Sequence, residues 1–390
     1  MNGITSWLRT RGTHDSGKVG MVELFFDLVF VFAVTQLSHT LLARLDPLGA
    51  VQVGVMMVGT WWVWIYTSWV TNWLDPERLP VRLALFGLMG AGLVMSAAIP
   101  KAFGEAGLVF ALAYAAQQIG RNVFVLWAVR GERQSLRRGF LRIMVWLSMA
   151  SACWIAGGLA EPQQRLAWWA LALAVETAAP LLFYWTPGLG RSVLSDWDID
   201  PNHMAERCAL FVIIALGESL LITGATVANT PWSAATLGGA LAAFIGTLAM
   251  WWIYFDTGAT RAHHHMAHSA QPGRQARNAY TYMHLLIVAG IVVCAVADEL
   301  VLVHPDHAEL PALFAILGGP AIYLAGTAAF KWATSTRRLP PFSHLVGLVL
   351  LALLAVPAAL HWASALMLGA ATTTVLVIVA AWEYVAVRRP

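Results

Sequence analysis

The chain has 390 residues, of which 59% are hydrophobic and only 12% are charged, and its mean hydropathy is +0.66. Soluble globular domains carry about 25% charged residues, so this composition excludes a water-soluble protein and predicts an integral membrane protein. The net charge of +3 is small and the basic residues are spread over the loops, which argues against a nucleic-acid partner. Cys153, Cys208 and Cys294 lie in separate apolar segments and predict neither a disulfide framework nor a zinc site.

About twelve apolar segments have the length of roughly 20 residues that a membrane-spanning helix needs. They cover residues 21–43, 48–70, 82–99, 106–129, 139–159, 166–186, 204–226, 233–255, 278–301, 311–332, 343–360 and 362–386. The last division is the least defined, because only Pro357 and His361 interrupt a long apolar run. The first segment is too long for a signal-peptide core and lacks a cleavage site, so we expect it to be retained.

Lys and Arg alternate in density between these segments. The basic loops hold residues 9–18, 78–82, 130–142, 191, 261–277, 331–338 and 388–389. The loops on the opposite side hold only Arg44, Lys101 and Arg165. By the positive-inside rule, this alternation predicts that both termini are cytoplasmic.

The second half of the chain resembles the first half. Residues 21–23, 59–66 and 91–94 match residues 204–206, 246–254 and 289–292, in the same order. The pattern predicts a cytoplasmic tail at 1–20, a six-helix repeat at 21–186, a cytoplasmic linker at 187–203 and a second six-helix repeat at 204–387. Two repeats with an even number of spans are parallel and are related by an axis along the membrane normal. Chance similarity between apolar helices is the alternative.

Two acidic residues lie inside the first apolar segment. Glu23 and Asp27 are four residues apart, so they share one helix face with their carboxylates roughly 6 Å apart. A carboxylate inside a membrane-spanning helix costs about 2.5 to 3.5 kcal/mol, and two close carboxylates do not both ionise easily. The pair therefore predicts a proton site. The alternative is a structural network in which Arg121, with Gln117 one turn earlier, is the ion-pair partner.

Further acids lie in the middle of later segments. Glu218, beside Ser219, and Glu176, four residues before Pro180, are both predicted near the middle of the bilayer. We interpret them as protonatable carboxylates or cation ligands, or alternatively as protonated acids that only hold helices together by hydrogen bonds.

A polar group marks the start of the seventh segment. It contains His203, Glu206 and Arg207, and Arg207 lies roughly 16 Å from Glu218, too far for direct pairing. In the repeat alignment Glu23 corresponds to Glu206, whereas Asp27 corresponds to Leu210. We therefore expect Glu23 and Glu206 to position helices, and we place the sharper functional hypothesis on Asp27 and Glu218.

No cofactor or metal is predicted. The sequence lacks a phosphate-binding loop, a dinucleotide fingerprint, a zinc-protease motif and a nucleophile elbow, which favours a non-enzymatic protein. A histidine-rich loop at residues 263–268 lacks a carboxylate or cysteine that would complete a ligand set, so a solvated loop is favoured.

Two long motifs resemble the bacterial low temperature requirement A (LtrA) family of membrane proteins. They are residues 22–38, VELFFDLVFVFAVTQLS, and residues 203–219, with the Ala-Glu-Arg start and the Leu-Gly-Glu-Ser core. Cys208-Ala209 stands where a Phe-Gly pair is expected, which leaves the carboxylates intact. The resemblance implies a multi-pass protein of the bacterial cytoplasmic membrane, and the family name, which refers to growth in the cold, implies no particular reaction.

The residues favour a secondary transporter or channel-like protein with a proton- or cation-linked carboxylate site. Its partners would be the lipid bilayer and a small ion or small-molecule substrate. Assembly into a homo-oligomer is a further possibility that the sequence does not decide. Two alternatives stay open as well: an intramembrane lipid-modifying enzyme that uses the same acids, and a membrane sensor or scaffold.

Overall fold

The computed structural model describes residues 6–9, 18–193, 199–256, 277–335 and 338–388. Within these ranges the protein is helical and contains no β-strand beyond two isolated bridges. The long helices are α1 (Met21–Ala43), α2 (Pro47–Trp73), α3 (Leu79–Ala98), α4 (Gly107–Ala128), α5 (Gln134–Leu159), α6 (Pro162–Leu181), α7 (Pro201–Asn229), α8 (Ala234–Tyr254), α9 (His284–Val303), α10 (Leu310–Ala333), α11 (Phe342–Ala359) and α12 (Ala365–Arg388). Most of the predicted tail, part of the predicted linker and the histidine-rich loop lie outside the described residues.

Ten helices of the described part are long and apolar enough to cross a membrane by length and composition. The two long helices outside this group are α4 and α6. Helix α4 carries Gln117, Gln118 and Arg121 in its middle, and α6 carries Glu176. Multiple apolar spans are therefore shown, whereas the count of twelve spans stays a prediction.

Proline residues explain several helix boundaries. Helices α3, α6 and α10 have a proline in their first two positions, where the missing N–H costs no hydrogen bond. The boundary that the sequence defined least, between α11 and α12, is present. Pro357 lies in the last turn of α11, and His361 follows in the left-handed region with φ 54°, which ends the helical path.

The described residues form two compact units. Unit 1 holds the residues up to Thr40 and from Pro47 to Glu206, and unit 2 holds Leu41–Asp46 and the residues from Arg207 onward. In unit 1, α3 packs on α4, α4 on α5 and α5 on α6, while α2 contacts α4 and α6. In unit 2, α9 packs on α10, α10 on α11 and α11 on α12, while α8 contacts α10 and α12.

A cluster of buried aromatic side chains forms the core between α4, α5 and α6. Phe110, Tyr114, Trp154 and Trp169 are fully buried, and the rings of Tyr114 and Trp154 lie 4.5 Å apart. The Trp154 and Trp169 rings are 5.1 Å apart. Large aromatic side chains bury much apolar area with few rotatable bonds, so this cluster holds Tyr114 rigidly at the polar site described below.

Candidate functional site

Glu23 lies in the first turn of α1 and is almost fully buried. Arg9 Nη2 donates to Glu23 Oε2 at 2.6 Å, and His203 Nε2 lies 2.8 Å from Glu23 Oε1. The Gly20 N–H also donates to Oε2, at 2.8 Å. The carboxylate therefore bridges a cation and an imidazole from two distant parts of the chain.

The backbone around Arg9 is fixed along the end of α2. The Arg9 N–H donates to the Trp73 carbonyl at 2.8 Å, and Arg9 Nε donates to the Thr71 carbonyl at 2.7 Å. Asn72 Oδ1 accepts from the Asp200 N–H at 2.9 Å, and Asn72 Nδ2 lies 3.3 Å from His203 Nδ1. Glu206 accepts from the Val19 N–H at 3.2 Å. These bonds support the helix-positioning role predicted for Glu23 and Glu206, which stays a prediction.

Asp27, one turn further along α1, has a different environment. Its side chain is fully buried, and Trp64 Nε1 in α2 donates to Asp27 Oδ1 at 2.7 Å. Trp64 is itself fully buried. An indole is a neutral donor, so this contact fixes the carboxyl group without supplying a compensating charge.

Glu176 joins α6 to α4 through neutral donors. Tyr114 OH donates to Glu176 Oε2 at 2.5 Å, and Gln118 Nε2 donates to Glu176 Oε1 at 3.2 Å. Gln118 Nε2 also donates to Tyr114 OH at 3.1 Å. All three side chains are buried, so the carboxyl group lies in a polar site that is closed to bulk water.

Arg121 continues this chain of hydrogen bonds toward α2. Its Nη2 donates to Gln118 Oε1, and its Nη1 donates to the Val63 carbonyl and to Thr67 Oγ1, both at 3.2 Å. The guanidinium carbon lies 5.4 Å from the centre of the Tyr66 ring, in cation–π geometry. One amide therefore separates the Arg121 cation from the Glu176 carboxyl group, and the expected ion pair of Arg121 with Glu23 or Asp27 is not among its contacts in the described residues.

Gln117 points toward α3. Its Nε2 donates to Met95 Sδ at 3.3 Å, and its Oε1 has no hydrogen-bond partner among the described residues. The hydrogen-bonded chain between Arg121 and Glu176 therefore runs through Gln118, which its position in the sequence does not single out. Sequence alone does not distinguish Gln117 from Gln118, because the two amides are adjacent in α4. Which of them contacts Glu176 depends on how α6 packs against α4.

Glu218, Ser219 and Arg207 belong to unit 2 and are buried in α7, with 6% of Glu218 exposed. The carbonyl of Ser219 accepts from Thr223 Oγ1 at 2.9 Å. Glu23, Asp27, Arg121, Glu176, His203 and Glu206 belong to unit 1. The predicted residues therefore divide between the two units.

Unit 2 contains a buried ion-pair cluster that the sequence analysis missed. Lys331 in α10 pairs with Glu383 Oε2 in α12, while His344 Nδ1 in α11 lies 3.3 Å from Glu383 Oε1. The side chains of Lys331 and Glu383 are each 9% exposed. The sequence does contain one indication of this cluster, because Glu383 is an acidic residue inside the last apolar segment. Among the described residues, no group of three or more His, Cys, Asp or Glu has the arrangement of a metal site.

Apolar helices of spanning length, with charged side chains buried among them, define a multi-pass helical membrane protein. The chain belongs to the family described as "Bacterial low temperature requirement A protein (LtrA)", whose model matches residues 18–381. It is 43% identical to "Uncharacterized protein RA0937" of Rhizobium meliloti (strain 1021) over 393 residues, which cover 98% of this chain and 93% of that relative. No solved structure matches the chain.

Proposed function

We propose that this protein is a secondary transporter or channel-like protein of the bacterial cytoplasmic membrane that moves a proton or cation through a buried carboxylate site. The observation that carries the proposal is the hydrogen-bonded chain from Glu176 through Gln118 to Arg121 in unit 1. Its members lie on α4 and α6, the two long helices whose polar residues set them apart from the ten apolar spans.

Glu176 is better suited to carry a proton than Glu23. Protonation of Glu23 would break a direct ion pair with Arg9, and an ion pair of this kind holds the carboxylate charged. Glu176 instead accepts hydrogen bonds from a phenol and an amide. Since neither donor is charged, the carboxyl group can gain or lose a proton without breaking an ion pair. The Arg121 cation is connected to this carboxyl group through Gln118 and not by a direct contact.

The proposal includes the topology that the sequence predicts. Helices α4 and α6 would cross the membrane with the ten apolar spans, both termini would be cytoplasmic, and the two units would be parallel repeats. The shared order of packing supports the repeat, because the third to sixth helices of each unit are consecutive neighbours. In each unit an acid on the sixth helix also bonds to the fourth helix, Glu176 to α4 and Glu383 to α10.

The test is ion flux in proteoliposomes that contain a pH-sensitive dye, with a potassium diffusion potential as the driving force and a panel of cations outside. We expect wild-type protein to carry proton or cation current and Glu176→Gln to fall to the level of protein-free liposomes. The amide keeps the shape of the acid but cannot take up a proton. Glu105→Gln is the matched control, because Glu105 lies in an exposed turn and its ion pair in the described part of the chain is with Lys101.

Wild-type flux in a folded Glu176→Gln protein would contradict the proposed site. The absence of any flux from wild-type protein, across the full panel and both polarities of the potential, would contradict the transport function itself.

A further inference from the structure

A cavity of about 270 Å³ lies between α2, α3 and α4 of unit 1. Its wall is largely apolar, with Val70, Val81, Leu85, Leu88 and Phe124 among the lining residues. Thr67 and Thr71 add hydroxyl groups, and Arg121 adds the single charge among the lining side chains of the described residues. An apolar wall with a few polar groups is the usual composition of a small-molecule site, and the volume is close to the lower end of such sites, ~300 Å³.

Among the described residues, no carboxylate forms a direct ion pair with Arg121. Arg121 is 2% exposed, and in the described residues its hydrogen bonds go to a carbonyl, a hydroxyl and an amide oxygen. These bonds use three of the five N–H donors of an arginine. A buried cation without a carboxylate partner is costly, so an anion that enters this cavity gains a strong electrostatic attraction.

The cavity reaches the outside of the helix bundle at two glycines. Gly87 in α3 and Gly120 in α4 line the cavity and are exposed. A Cβ atom built at either position meets no heavy atom within 4 Å. An apolar chain can therefore pass between these positions while its charged end reaches Arg121.

We propose that this cavity binds a small amphipathic monoanion, a single-chain carboxylate whose head pairs with Arg121 and whose tail lies along α3 and α4. The volume corresponds to about nine water molecules at ~30 Å³ each, which suits a medium-length chain and excludes a phospholipid with two acyl chains. The inference shares only Arg121 with the proposed function, and it does not depend on that function because binding itself requires no transport.

The test is a binding measurement with radiolabelled octanoate on purified protein in zwitterionic nanodiscs, with empty nanodiscs as the blank. We expect saturable binding that excess octanoate displaces and excess octanol does not, because octanol has the same chain without the charge. Arg121→Gln should raise the Kd about tenfold to hundredfold, the range expected when a charge-assisted hydrogen bond is removed.

A pair of glycine variants separates the cavity from general effects on folding. Gly87→Leu places an apolar side chain in the cavity and should abolish saturable octanoate binding, as should Gly120→Leu. Gly90→Leu is the matched control, because Gly90 lies one turn further along α3, is also exposed with no heavy atom near its Cβ, and does not line the cavity. Its Kd should stay within about twofold of wild type.

The anion site would be overturned by an absence of saturable octanoate binding to wild-type protein, by displacement of octanoate by octanol, or by equal loss of binding in Gly87→Leu and Gly90→Leu. Displacement by added phosphatidylglycerol would overturn it in favour of a phospholipid headgroup site. Proton flux without octanoate binding would contradict this inference and leave the proposed function standing. Octanoate binding without any flux would support this inference and contradict the proposed function.

Discussion

Three buried acids of unit 1 illustrate how the surroundings of a carboxylate determine what it can do. Glu23 meets a guanidinium and an imidazole, Asp27 meets an indole N–H, and Glu176 meets a phenol and an amide. A charged partner stabilises ionisation, whereas neutral donors leave the protonation state open. At the scale of single residues, we therefore propose Glu23 as the structural acid and Glu176 as the exchangeable one.

The ion pair of Glu23 with Arg9 has an exposed counterpart of the same type and length. Glu77 accepts from Arg82 Nη2 at 2.6 Å, the same distance as in the buried pair, but the Glu77 side chain is 65% exposed while that of Glu23 is buried. Glu23→Gln leaves the partly buried Arg9 cation without its counter-charge and should destabilise the protein by about 3 kcal/mol or more. Glu77→Gln should cost less than about 1 kcal/mol.

Unfolding of both variants in detergent, followed by circular dichroism, measures this difference. Equal and small effects of the two substitutions would show that burial adds nothing to the Arg9–Glu23 pair.

Sequence alone selected most of the buried charged side chains but not their partners. Glu23, Asp27, Arg121 and Glu176 stand out because charged residues are rare in apolar segments. Arg9 and Gln118 do not stand out, because Arg9 lies in a polar stretch that reads as a topology signal and Gln118 is one of two adjacent amides. Their roles depend on packing between helices, which residue type and spacing do not encode.

At the scale of helices, close packing of α9 on α10 depends on glycine. A Cβ atom at Gly290 would lie 2.5 Å from the Tyr323 backbone nitrogen, and one at Gly319 would lie 2.8 Å from the Cys294 backbone nitrogen. Without a hydrophobic driving force between helices in lipid, such close contact is a main source of their association.

Gly290→Ala should therefore destabilise unit 2 by about 1 to 3 kcal/mol, because the backbone of α10 must move to admit the methyl group. Thermal denaturation of the purified protein measures the change in Tm. Gly238→Ala in α8 is the control, since no heavy atom lies within 4 Å of its Cβ position, and it should leave Tm nearly unchanged. A wild-type Tm for Gly290→Ala would contradict the packing argument.

Helix boundaries were the most predictable feature of the fold. Apolar length and polar, proline- or glycine-rich breaks predict the bounds of the twelve long helices of the described part to within six residues. The assignment of α4 and α6 to the membrane is less direct. Their polar residues face partners inside unit 1, and composition cannot tell a polar interior from a polar surface.

At the scale of the whole molecule, the predicted topology gives a direct test. Glu105, between α3 and α4, should face the outside, whereas Arg133, before α5, should face the cytoplasm. Glu105→Cys should react with a membrane-impermeant maleimide in intact spheroplasts, and Arg133→Cys only after permeabilisation, with wild-type protein as the blank for its three cysteines. Labelling of both positions from one side would contradict the arrangement of α4 as a membrane span.

The contact between Glu23 and His203 also sets an order of events during synthesis. The two residues are 180 positions apart, so at about 5 to 20 residues per second the ribosome needs roughly 10 to 35 s to deliver His203 after Glu23 has been made. Arg9 emerges before Glu23, and the end of α2, whose carbonyls fix Arg9, follows well before His203. We therefore expect the Arg9–Glu23 contact to form before the Glu23–His203 contact, so that a cation already lies beside the buried acid when the start of α7 has been made.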